Sequence, residues 1–135
     1  GVTEIDLSDT LTWTVAADTA YAVRIVMPYR TNATTQGIAV GFGGTAGFQT
    51  IALQARAMAS DGTMLSKTVK AKDTKMIFPT SAQTTRDNLL VVEGVLLTTS
   101  PGTFTFQIAA AVLYDYCAAQ KGTAGVVEAI GSTAA

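Results

Sequence analysis

Charge is scarce in this chain: of its 135 residues only 14% are Asp, Glu, Lys or Arg, against roughly 25% in ordinary soluble domains. A net charge of −1 supplies no field to gather phosphates, so nucleic acid is not an expected partner, and the absence of histidine excludes Ser-His-Asp and Cys-His mechanisms and imidazole-ligated zinc. The longest apolar run, Ile108 to Tyr114, falls well short of the ~20 residues of a membrane-crossing helix, so no membrane partner is expected either.

Along the chain the hydrophobic period is two. Gly1 to Thr10 holds Glu4, Asp6 and Asp9 and lacks the basic start and apolar stretch of a secretory signal. Thr10 to Val15 then sets Leu11, Trp13 and Val15 on one face and threonines on the other, the alternation of a half-buried strand. Further strands are predicted over Tyr21 to Met27, Gly37 to Gly43, Thr50 to Ala59, Lys75 to Phe78 and Leu89 to Thr98, all rich in β-branched, aromatic or alternating apolar residues. Thr103 to Ile108 alternates Phe104, Phe106 and Ile108 with Thr103, Thr105 and Gln107, and Val112 to Cys117 and Gly125 to Ile130 complete the set. Only Ile51 to Met58, where alanines alternate with larger residues, would also suit a helix.

The separators have turn chemistry. Asp61-Gly62 and Ser100-Pro101-Gly102 favour short turns, because glycine accepts positive φ and proline presets the bend. Residues 16–20, 31–36 and 81–87 are polar connectors. Strands at regular spacing with no long helical pattern predict an all-β, antiparallel β-sandwich or jelly roll. A single domain is expected over residues 1–130, with a flexible C-terminal tail at 131–135.

Two of these strands are apolar on both faces. Leu89 to Leu97 shows Leu90, Val92 and Leu96 on one side and Leu89, Val91, Val95 and Leu97 on the other, and Tyr21 to Met27 behaves alike. An antiparallel sheet with one wet side alternates more cleanly, so a second sheet or another subunit is expected over the second face. Arg24 and Glu93 are the charges inside these runs. Burying either alone would cost several kcal/mol, so the two are expected to pair, to be satisfied separately, or to reach a sheet edge.

Other chemistry is sparse. Cys117 is the single cysteine, which excludes an internal disulfide and a thiolate cluster and is read as a small buried residue. Gly41-Phe-Gly-Gly-Thr-Ala-Gly47 lacks the spacing and the Lys-Ser/Thr of a phosphate loop and reads as a strand-end bend. The acidic pairs Asp6 with Asp9 and Asp115 with Glu128 carry no motif, so no catalytic residue, metal site or cofactor is expected. Lys67, Lys70, Lys72 and Lys75, with Asp73 among them, read as a solvated loop. Asn32-Ala-Thr34 fits the glycosylation pattern, though no other feature indicates a secretory route.

Two stretches carry a family resemblance. Thr19 to Phe42 runs as an aromatic-led strand, Pro28-Tyr29, Ala33-Thr-Thr35 and a glycine opening the next strand; Val92 to Val112 runs as Glu93-Gly94, a short turn and a threonine-alternating strand, with Lys121 to Glu128 a looser continuation. The chain thereby resembles a β-sandwich domain that recurs in virion structural proteins of tailed bacteriophages, in tail fibres and other surface components. The resemblance implies an antiparallel sandwich, commonly trimeric, with Pro28 and Tyr29 at a corner and Glu93 and Gly94 in a strand as structural residues and no catalytic ones. The resulting expectation is a virion protein, capsid decoration or tail-fibre element, partnered by copies of itself and by other virion proteins. Two neighbours contacting a subunit over about 800 Å² each would hide roughly a quarter of its surface, which accommodates the missing charge. The alternative is a carbohydrate- or receptor-binding module reading a host surface glycan, for which Tyr29 beside Asn32 and Gln36 supplies the aromatic and the amides.

Overall fold

The computed structural model describes residues 5–6, 11–69, 71–84, 86–111, 117–119 and 123–132. They form eleven strands in chain order: β1 (Ile5–Asp6), β2 (Thr12–Val15), β3 (Thr19–Thr31), β4 (Ile38–Gly43), β5 (Gly47–Met58), β6 (Met64–Val69), β7 (Met76–Phe78), β8 (Asn88–Ser100), β9 (Gly102–Ala110), β10 (Cys117–Ala119) and β11 (Ala124–Ser132). The strands make two antiparallel sheets. A five-stranded sheet runs β1-β9-β4-β7, with β2 beside β1 on the same edge of β9; a six-stranded sheet runs β10-β3-β8-β5-β6, with β11 beside β10 on β3. The chain is a single β-sandwich domain.

Its core is the meeting of the two inward rows. Val23, Ile25 and Met27 of β3 and Leu90, Val92 and Leu96 of β8 pack with Ile38, Val40 and Phe42 of β4 and Phe104, Phe106 and Ile108 of β9, all buried. Each such side chain contributes about 1.5–3 kcal/mol by leaving water. At one end Phe104 gathers the rings of Phe42, Phe48 and Trp13, at centroid distances of 5.0, 6.3 and 5.8 Å. The predicted alternation of Leu11, Trp13 and Val15 is therefore core contact, with Leu11 and Val15 buried and Trp13 half-buried.

Strand extents differ from expectation in instructive places. The segment 51–58 is strand throughout, with the inward alanines Ala55 and Ala57 buried in the core. Met64–Val69, not predicted as a strand, pairs with β5 as a hairpin across Asp61-Gly62, where Gly62 takes φ of 85° and Asp61 Oδ1 accepts from the Thr63 N–H. Lys67 is thus a strand residue opposite Ala55, correcting the solvated-loop expectation. Lys72 does lie in a connector, but its ammonium donates to the carbonyls of Gly44 and Ala46 at 3.2 and 3.4 Å. The Gly41–Gly47 stretch carries the chain from β4 across to β5, as a bend at the end of a strand.

Pro28 and Tyr29 do not form a corner. They continue β3, with Pro28 opposite Leu89, at the point where the other side of β3 passes from β11, which begins at Val26, to β10, which ends at Tyr29. A residue without an N–H is tolerated where the ladder is already interrupted. The expected tail begins too early: Gly131 and Ser132 remain in β11, paired with Ala20 and Thr19. The strand predicted over Val112 to Cys117 lies mostly outside the described residues, Cys117 opening β10, and residues 133–135 are likewise outside them.

Candidate functional site

β3 and β8 are neighbours, and their shared outward face carries the residues singled out in the sequence. The inward row of β8 is Leu90, Val92 and Leu96; the outward row is Leu89, Val91, Glu93, Val95 and Leu97. Opposite it on β3 stand Ala22, Arg24, Val26 and Pro28. β5 adds Ala52, Gln54, Arg56 and Met58, β6 adds Met64, and β11 adds Val126 and Glu128. Neither a second sheet nor any other described segment covers this face: Leu89 is 52%, Met64 55% and Val126 57% exposed. The expectation that the other sheet might cover it is thereby answered, since the five-stranded sheet sits on the opposite side.

Two hollows lie in the face. One, of about 460 Å³, is lined by Arg56, Met58, Met64, Leu89 and Val91 and walled by Ala82, Gln83, Asp87 and Asn88; the other, of about 440 Å³, lies among Ala22, Arg24, Glu93, Val126 and Glu128. The wall is held by Asn88, whose buried side chain accepts from the N–H groups of Ala82 and Gln83 and donates to the carbonyls of Gln83 and Tyr29. Ser81, also buried, shares a 2.6 Å hydroxyl hydrogen bond with Thr31.

Of the alternatives for Arg24 and Glu93, the structure gives separate settings: Arg24 is exposed and Glu93 is held by another residue. The two are directly opposite in the β3–β8 register, yet the Glu93 carboxylate makes its ion pair with Arg56 of β5. Arg56 is opposite Val91, one diagonal step from Glu93, within reach of a long side chain on a twisted sheet. Both partners are nearly half exposed, so the cost of a buried charge does not arise. At the rim Arg30 Nε donates to Asp87 Oδ1 at 2.6 Å. Gly94, beside Glu93, has φ of 155° and admits no side chain: a Cβ there would lie 1.9 Å from the Ala52 carbonyl oxygen of β5.

The proposed glycan residues are not assembled as a binding surface. Tyr29 is fully buried on the inward side of β3 and offers no ring to a sugar, which removes the aromatic from that site. Gln36 turns its side-chain carbonyl to the Asn32 backbone N–H at 3.1 Å, closing its own connector. Of the other aromatics, Tyr21 and Phe42 are buried, Phe48 packs against the core, and Tyr114 and Tyr116 lie outside the described residues. The Tyr29 hydroxyl has no hydrogen-bond partner among the described residues. Burial pushes its pKa up to about 12, with the neighbouring Cys117 adding to the effect, and burial likewise pushes the Cys117 thiol up to about 12. Such a thiol is a poor nucleophile. Among the described residues no three His, Cys, Asp or Glu side chains are grouped to hold a metal. The pairs Asp6 with Asp9 and Asp115 with Glu128 cannot be placed, because Asp9 and Asp115 lie outside those residues.

No protein-family model matches the chain, and no curated protein does. Among solved structures it is similar to a chain of infectious bursal disease virus, Gx strain, at 12% identity and a TM-score of 0.24, over 94% of this chain and 34% of that one. A chain of the Gt strain matches at 12% identity and 0.23, over 98% and 34%, and one of the VP2 subviral particle at 12% and 0.23, over 98% and 33%. This chain thus spans about a third of the length of each, and likenesses of that size carry no argument about function.

Proposed function

We propose that this chain is a structural domain of a bacteriophage virion, a surface sandwich serving as capsid decoration or tail-fibre element, with no catalytic role and with copies of itself as partners. The observation that carries the proposal is the uncovered apolar face of the six-stranded sheet, whose exposed large side chains include Met58, Met64, Leu89 and Val126. Large apolar side chains exposed together on one sheet face fit an interface, and charge at only 14% of positions fits a chain whose surface is partly covered. The particle assignment rests on the resemblance over residues 19–42 and 92–112 to tailed-phage virion domains.

Antibodies raised to the folded chain, applied with gold labels to purified particles of the phage that encodes it, test this directly. Regular labelling on the capsid surface or along the tail is expected, with the chain recovered from the particles by mass spectrometry in many copies. Particles that carry neither label nor peptide would overturn the assignment.

A further inference from the structure

If copies of the chain are its partners, one of its surfaces must join them. Resting on that reading for the choice of partner, and on no particular virion location, we propose that the outward face of the six-stranded sheet docks on the same face of a second copy, with Arg24 of each copy set against Glu128 of the other.

Size is the first support. Five strands at ~4.8 Å spacing by the ten residues paired between β3 and β8 at ~3.4 Å each give about 800 Å² of face, the share each partner contributes to a stable protein contact. That is roughly an eighth of the chain's 6748 Å² surface.

Charge is the second, and it selects the occupant. The outward rows of β3, β5, β8 and β11 hold Arg24, Arg30, Arg56, Glu93 and Glu128, and Asp87 stands at the rim against Arg30. Two opposite pairs are closed within the chain, Arg56 with Glu93 and Arg30 with Asp87. Arg24 and Glu128 remain. They sit one diagonal step apart, since Arg24 opposes Val126 and Glu128 opposes Ala22, and neither makes an ion pair among the described residues. A membrane surface or a polyanion would call for an excess of one sign, and a sugar for exposed aromatic rings; this face has balanced charge and aliphatic side chains. A patch carrying one free charge of each sign is complementary to itself, because in a two-fold contact residue i meets j and j meets i.

The contact closes with two copies, so assemblies built through it contain an even number of chains. Sedimentation of the purified full chain up to about 100 µM should show two chains, or six if trimers pair. Leu89→Lys with Val91→Lys should abolish association while the circular dichroism and thermal midpoint stay as in the parent. Arg24→Glu and Glu128→Arg, each alone, set like charges across the contact and should weaken it about tenfold or more. Mixing those two variants restores opposite charges at both sites, so native mass spectrometry should show one-to-one hetero-pairs. Pairing within one chain could not give that rescue. A chain that stays single, assemblies of odd number only, or mixed variants that associate no better than either alone would overturn the proposal. A single chain in solution would leave the particle labelling standing, and unlabelled particles would leave the two-fold contact standing.

Discussion

The two sheets share one core but finish their outer faces differently. On the five-stranded sheet the outward residues of β4 are Ala39, Gly41 and Gly43, those of β9 include Thr105 and Ala109, and the 71–75 connector lies close by, with the Asp73 N–H donating to the Phe42 carbonyl. On the six-stranded sheet the outward residues include large leucine, valine and methionine side chains among charged and polar ones such as Arg24, Gln54, Arg56 and Glu93. Among the described residues, six of the seven exposed large apolar side chains belong to its strands, Ile77 of β7 being the exception. The small outward residues of the first sheet are themselves buried, Ala39, Thr105 and Ala109 being less than a tenth exposed, because the 71–75 connector lies against them. One outer face is thus covered by the chain's own connector, whereas the other leaves large aliphatic residues exposed.

The comparison can be broken hardest at Gly94. Gly94→Ala forces a methyl onto the Ala52 carbonyl and pries β5 from β8, so a loss of about 4 kcal/mol or more is expected in chemical denaturation, dismantling the outward face with the sheet. Phe104→Ala empties the aromatic cluster between the sheets and should cost about 4 kcal/mol by the same measurement, leaving the six-stranded sheet's register intact. Asn88→Ala strips four hydrogen bonds from the wall of the larger hollow and should cost about 3 kcal/mol, with faster amide exchange at Ala82 and Gln83. Tyr29→Phe removes a buried hydroxyl without a partner among the described residues and should change stability by less than about 1 kcal/mol, neutral or stabilising.

Titration sharpens the picture of the β3–β10 side. Cys117 and Tyr29 hold their protons to about pH 12 in the folded chain, where their ordinary values are 9.0 and 10.0. Above pH 9 the unfolded chain releases protons that the folded chain retains, so stability is constant below pH 9 from these groups and falls between pH 9 and 12. Thermal midpoints across that range should decline. The decline should begin about a pH unit later in Cys117→Ala, and a flat profile in the parent would contradict the burial of both groups.

Much of the fold is legible in the sequence because strands with strict alternation, such as Thr12–Val15 and Thr103–Ile108, declare their inward rows. β6 is hidden by Lys67 on its inward row, although Asp61-Gly62 announces a hairpin that needs a second strand. The doubly apolar β3 and β8 supply half the candidate face from sequence. Met58, Met64 and Val126 complete it only through strand order and register, which alternation within a strand does not encode. The same gap hides Arg56 as the partner of Glu93, which register places within reach on β5. Ending the strand at Met27 misplaces Tyr29; carried two residues further, the parity of Tyr21, Val23, Ile25 and Met27 turns it inward.

The adjacency of β3 and β8 also has a consequence in time. Residues 32–87 separate them, and at ~5–20 residues per second a ribosome spends roughly 3–11 s on that stretch. Throughout that interval the nascent β3 has neither its hydrogen-bonded neighbour nor cover for its greasy sides. Cells making this polypeptide must therefore keep a sticky half-built ribbon from aggregating until its mate emerges, and slow codons placed between the two would lengthen that exposure.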